Sequence, residues 1–164
     1  MPDAITNTSP LLYLYRIGQI DLFPQVFEDV LTVPAVVAEL HTGREKGYDV
    51  PRPKDYAWLQ VVSPQSVPAE WLAGDLGKGE LETMALALEH RESIVVLDDG
   101  LARRTAQKAG LNVWGTLRVL LEARKYGRLP QMAEIIDALR ESGMWISDDI
   151  RRRILTLAHK YPEE

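Results

Sequence analysis

Ile94-Val95-Val96-Leu97-Asp98-Asp99-Gly100-Leu101-Ala102-Arg103 is the stretch on which the reading of the fold turns. Its first four residues are apolar with no polar alternation, the pattern of a short strand covered on both faces. Two aspartates end it, and a helix is expected from Leu101 to Ala109. A buried strand that passes through acids into a helix is one βα step of a parallel sheet. In such sheets chemistry sits at the carboxyl ends of the strands.

Working outward, the same alternation recurs. Ala4-Ile5-Thr6 is β-prone and runs into the turn-like Asn7-Thr8-Ser9-Pro10, where Ser9 reads as a helix N-cap with proline at the first helical position. That helix carries Leu11, Leu12, Leu14 and Tyr15 and stops near Gly18, and a shorter one spans Leu22 to Phe27. Val30-Leu31-Thr32-Val33 is a second strand, followed by a helix opened by Pro34. Tyr48 to Pro68 reads as loop, with a helical turn near Asp55 to Trp58 and a strand at Leu59 to Val62. A long helix covers Lys78 to His90, a last strand Asn112-Val113, and helices follow at Thr116 to Tyr126, Pro130 to Ser142 and Asp148 to His159. The expected architecture is therefore α/β, three layers α/β/α, with a central, mostly parallel sheet of four to five short strands. The 164 residues suffice for one domain, expected over 1–164 with the last two helices (about 130–160) packed as a C-terminal extension.

Composition removes several classes of function. There is no cysteine, so disulfides, zinc-thiolate sites and a cysteine nucleophile are excluded. The histidines His41, His90 and His159 lack zinc-ligand spacing. No apolar run reaches the ~20 residues of a membrane helix, and the start lacks the pattern of a signal peptide, so a cytoplasmic protein is expected. The net charge of −5 argues against a broad basic face gripping nucleic acid. It leaves room for carboxylates that hold cations, which in turn meet phosphates.

The acids fall where that chemistry needs them. Asp98 and Asp99 follow a strand; adjacent carboxylates repel, and either a divalent cation or a helix N-terminus relieves the repulsion. One of them capping the next helix explains the pair equally well. Glu80 and Glu82 open the long helix but project roughly 200° apart, flanking the stripe Leu81, Met84, Ala85 and Leu88, so both seldom reach one pocket. Glutamates in a first turn also suit the helix dipole with no further role. Glu39 alone would be a solvated charge. Asn7 is a common turn residue whose amide oxygen is also a neutral, weaker ligand for a hard cation. Together these oxygens suit one or two hard divalent ions, which activate water and stabilise an in-line phosphodiester displacement.

Five stretches carry a resemblance. Ile5-Thr6-Asn7-Thr8-Ser9-Pro10-Leu11, Pro34-Ala35-Val36-Val37-Ala38-Glu39-Leu40, Gly79-Glu80-Leu81-Glu82-Thr83-Met84-Ala85-Leu86-Ala87, Val96-Leu97-Asp98-Asp99-Gly100-Leu101-Ala102-Arg103 and Gly115-Thr116-Leu117-Arg118-Val119-Leu120-Leu121 resemble, in this order, the PIN-domain nucleases, the fold of the VapC toxins. The ending Gly143-Met144-Trp145-Ile146-Ser147 resembles that of a prokaryotic branch of the family. The resemblance implies a ribonuclease dependent on magnesium or manganese. It places Asn7 where the first aspartate usually stands, Glu39 at the second acid, Glu80 or Glu82 at the third and Asp98 or Asp99 at the fourth. Thr8, Ser9 and Thr116 match hydroxyl residues beside the site. Arg103, Arg104 and Arg118 are candidates for phosphate contacts, with helix solubility as their plain alternative. RNA as substrate, a small antitoxin protein as partner and a homodimer are implied in the same way. The amide at Asn7 removes one negative charge from the site. The competing expectation is thus a catalytically weak or inactive PIN-like module that binds RNA or a protein.

Overall fold

In the computed structural model, which describes residues 1–129 and 131–159, strand β1 (Ala4–Thr6) is wholly buried at the centre of a five-stranded sheet. Its neighbours are β2 (Val30–Thr32) and β4 (Ile94–Val96); β3 (Leu59–Val61) and β5 (Asn112–Trp114) are the edges. Every pairing is parallel, with Ile5 opposite Leu31 on one side and Val95 on the other. Backbone bonds carry the ladders past the strand ends: Asn7 N donates to Val96 O (3.2 Å) and Leu97 N to Trp114 O (2.9 Å).

The order β3-β2-β1-β4-β5 means that the chain moves outward from β1 in one direction, then crosses back and continues in the other. The direction reverses between β1 and β4, and in such sheets the binding crevice lies at the carboxyl ends of the strands flanking that point. Four helices that directly follow a strand begin at this end of the sheet: α1 (Thr8–Arg16), α3 (Pro34–Glu45), α6 (Gly100–Lys108) and α7 (Thr116–Lys125). Between α1 and β2 lies the short α2 (Leu22–Val26). The crossover from β3 to β4 carries α4 (Ala69–Leu72) and α5 (Lys78–Glu89), and α5 rests on β1 and β4.

The core is continuous through both layers. Phe23, Phe27, Leu11, Leu14, Val119 and Leu120 are buried on the α1/α2/α7 side, and the Phe27 and Trp114 rings meet at 5.5 Å. Helices α8 (Met132–Glu141) and α9 (Asp148–Ala158) pack on each other, α8 also on α1 and α9 on α7, burying Met132, Ile136, Leu139 and Ala158.

Three local readings change. Helix α1 starts at Thr8 with Asn7 as N-cap, so Ser9 lies inside the helix and Pro10 at its third position. Proline is tolerated there because first-turn N–H groups have no intrahelical acceptor. The helical turn expected near Asp55 to Trp58 lies instead at Pro53–Asp55. Beyond the expected loop, α4 adds a single turn whose sequence Ala69-Glu70-Trp71-Leu72 is too short for a periodic signal. The helix start expected at Pro130 lies outside the described residues. Among the described residues, no helix is long and apolar enough to cross a membrane.

Candidate functional site

Helix starts and strand ends bring four of the candidate residues to one crevice. Asn7 caps α1 with extended backbone, yet its side chain makes no capping bond. Its Oδ1 is buried and takes no hydrogen bond. The next residue, Thr8, donates its hydroxyl to Glu39 Oε2 on α3. Glu39 Oε1 accepts from the backbone N–H of Gly79, at the start of α5 (3.2 Å). This approach depends on glycine: a Cβ at position 79 would come within 2.6 Å of Glu39 Oε1.

One residue after Gly79, Glu80 turns Oε1 back to the Gly77 N–H (3.1 Å), closing the first turn of α5, while its Oε2 is buried with no partner. Burial holds the Glu80 carboxyl above its ordinary value of 4.5; the Gly77 N–H works against that shift, while the charges of Asp99 and Glu39 and the close approach of the Asp99 carboxylate add to it. Asp99 caps α6, accepting from Ala102 N with Oδ2 (2.9 Å). Asn7, Glu39, Glu80 and Asp99 thus arrive on four different elements.

The second member of each acid pair is engaged elsewhere. Glu82 Oε2 accepts from the backbone N–H of Ala35 (3.1 Å), satisfying an otherwise unpaired donor in the first turn of α3. Asp98 accepts twice from Thr116, from its N–H (2.8 Å) and its hydroxyl (2.7 Å). Burial raises the Asp98 carboxyl above 3.8, opposed by both Thr116 bonds and by the charge of Arg103. Arg103 itself donates to Leu97 O (3.1 Å) and packs against Gly115, where a Cβ would meet its Nη1 at 2.5 Å. Asp98, Thr116 and Arg103 therefore clasp the end of β4 to the start of α7. Arg118 pairs with Glu122 (3.1 Å) and lies over the Trp114 ring (4.8 Å). Arg104 is exposed, with its guanidinium folded back toward Gly100. Ser9, half-buried on α1, joins none of these bonds.

A family model described as PIN domain matches residues 3–160. The chain belongs to the PIN-domain family. No curated protein matches it. Among solved structures, a PilT N-terminus domain protein from the hyperthermophilic archaeon Sulfolobus solfataricus P2 is 14% identical, with a TM-score of 0.48, over 88% of this chain and 97% of that one. Membership gives this PIN domain a nuclease-type fold, nucleic acid as its class of partner, and a family habit of using divalent metal ions.

The residues can be tested against such an ion. Among the described residues, no group of three or more histidine, aspartate or glutamate side chains is arranged as it stands to hold a metal. The donors present nevertheless fit one in kind: all are oxygens, and two of them, Asn7 Oδ1 and Glu80 Oε2, are buried without a hydrogen bond. Glu39 is bonded at both oxygens, but an ionised carboxylate has about four lone-pair sites and keeps capacity beyond two donors. The contribution that the sequence alone hid is the Gly79 N–H, which no side-chain pattern reports; its only trace is a glycine in the first turn of a helix, where alanine would serve the helix better.

Proposed function

We propose that this PIN domain is a metal-dependent endoribonuclease of the VapC type. The observation that carries the proposal is the pair of buried oxygens without partners, Asn7 Oδ1 and Glu80 Oε2, beside the carboxylates of Glu39 and Asp99. Burying polar oxygen without a partner costs free energy, and a hard cation is the ligand that would offset it here.

Glu39, Glu80 and Asp99 would hold magnesium or manganese, with Asn7 as a neutral fourth donor. When bound, the ion supplies an activated water and neutralises charge on the phosphodiester. Thr8 and the Gly79 N–H hold Glu39 in one rotamer. Capping fixes Asp99, and the Gly77 N–H fixes one oxygen of Glu80, leaving the other free to bind. Asp98 and Thr116 position the end of β4 without meeting substrate. Of the three arginines, Arg104 is the one whose guanidinium has no partner among the described residues, and it is the proposed contact for phosphate. Arg103 holds the Leu97 carbonyl, and Arg118 is stacked and ion-paired.

The test is cleavage of labelled single-stranded RNA with manganese and with chelator. Activity in manganese alone, lost in Glu80→Gln, supports the proposal; equal activity with chelator rejects it. A second reading, a weak or inactive module that binds RNA or a protein, is favoured by the amide at Asn7. Asn7→Asp separates the two, since a weakened enzyme gains activity with the added charge and an inactive module does not. A homodimer, and a small antitoxin covering the crevice, belong to the first reading; sizing chromatography and co-purification with a neighbouring gene product test them.

A further inference from the structure

We propose that a single RNA strand leaving the acid cluster lies in a groove between α1, α3 and residues 48–56, with its phosphates on Arg52 and Lys54 and its bases against Tyr15, Tyr48 and Tyr56. The proposal deepens the nuclease reading and rests on it for the identity of the strand.

Two adjoining hollows form this groove, of about 420 and 270 Å³, and both are lined by Arg44 and Arg52. The larger has an apolar floor from Pro34, Val37 and Ala38 on α3, with Lys54 on its rim. The smaller is walled by the three tyrosines. In a chain of net charge −5, cations here stand out because they are not consumed internally. Among the described residues neither Arg52 nor Lys54 has an acidic partner within 4.0 Å, and Arg44 donates only to the Pro51 carbonyl (3.3 Å), which fixes its guanidinium. Two acids share the smaller hollow. Asp49 is held by the Tyr15 hydroxyl (2.8 Å), and Asp55 stands at the rim.

Flat aromatic and guanidinium faces beside unpaired cations are the means by which single strands are held without reading their sequence. A duplex would need a broad cationic face, which a net charge of −5 argues against. The path is also short. Thr8 and Glu39 are bonded to each other. Tyr15 stands seven residues further along α1, roughly 10 Å, and Arg44 five residues further along α3, roughly 8 Å.

The experiment uses the full chain in chelator, so that cleavage does not intrude, and reads the anisotropy of a short labelled oligouridylate. Arg52→Ala with Lys54→Ala should weaken binding about 10-fold and lower the slope of log affinity against log salt by about 1.4, since each single-strand phosphate contact contributes about 0.7. Tyr48→Ala, at a residue 60% exposed in the structure, should weaken binding about 5-fold or more and leave the slope unchanged. Arg152→Ala with Arg153→Ala, on α9, is the control. Unchanged affinity in both groove variants, or an equal loss in the control, overturns the proposal. Binding that depends on the groove in a protein that never cleaves RNA rejects the nuclease reading and leaves the groove standing. Manganese-dependent cleavage together with unaltered binding in the groove variants rejects the groove alone.

Discussion

Acids gather in two parts of this molecule and are treated oppositely. On the C-terminal pair α8 and α9, Asp137 meets Arg151 and Asp148 meets Arg140, each at 2.9 Å, while Asp149 meets Arg152 and Arg153. At the carboxyl end of the sheet Glu39, Glu80 and Asp99 face one another, and among the described residues none has a lysine or arginine within 4.0 Å. Paired surface acids contribute a little to stability each, whereas clustered like charges subtract from it. The crevice therefore keeps like charges side by side, and the proposed cation is what would offset their repulsion.

The sharpest way to break the comparison is to neutralise the crevice. Glu80→Gln with Asp99→Asn should lower manganese-dependent cleavage by about 100-fold or more, while the melting temperature of the metal-free protein holds or rises. A fall in both would mean that these acids support the fold. The pH response sharpens the point. Because the folded-state pKa of Glu80 lies above 4.5, its contribution to stability is full below that value and is lost as pH rises through the raised one. Metal-free melting curves recorded upward from pH 4.5 should show this decline, and Glu80→Gln should reduce it.

Asp98 should behave as the crevice acids do not. Asp98→Asn disturbs two charge-assisted bonds to Thr116 and should cost about 2 kcal/mol by denaturant titration, with any loss of cleavage following the loss of folded protein. Gly79→Ala brings a methyl against Glu39 and should cost about 1 kcal/mol or more, while weakening manganese binding measured by calorimetry.

The three inner strands were legible because they are short, mostly apolar runs, each followed by a helix, whereas the edge strands β3 and β5 each carry an exposed polar residue, Gln60 and Asn112. The candidate site was legible only as a set of pairs. Sequence spacing showed that Glu80 and Glu82 diverge, but not which one faces the crevice. That depends on where the Ala35 N–H lies, 47 residues away. Asp98 and Asp99 were ambiguous for a related reason: the partner that draws Asp98 away is Thr116, beyond the next strand. Asn7 reads as a turn or capping residue, and its extended backbone does cap α1. Only the fold reveals that its amide oxygen is buried without a partner.

The smallest expected effect lies on the compensated side. Asp137 is held below its ordinary 3.8, first by the Arg151 hydrogen bond, so its contribution is present above 3.8 and is lost as pH falls through the lowered value. Thermal melts of Asp137→Asn should differ slightly from the parent near neutral pH and converge with it in strong acid. A change in RNA cleavage from this variant would erase the distinction between the two regions.

The crossover from α3 to α5 is pinned at its neck by Glu39 to Gly79 and Glu82 to Ala35, while Ala73, Gly74 and Asp75 in its course are exposed. A chain severed at Gly74 would part into pieces of which one brings Asn7 and Glu39 and the other Glu80 and Asp99. Neither fragment owns a complete centre, so mixing the two and watching for RNA cleavage that neither performs alone would turn this protein into a reporter of its own reassembly.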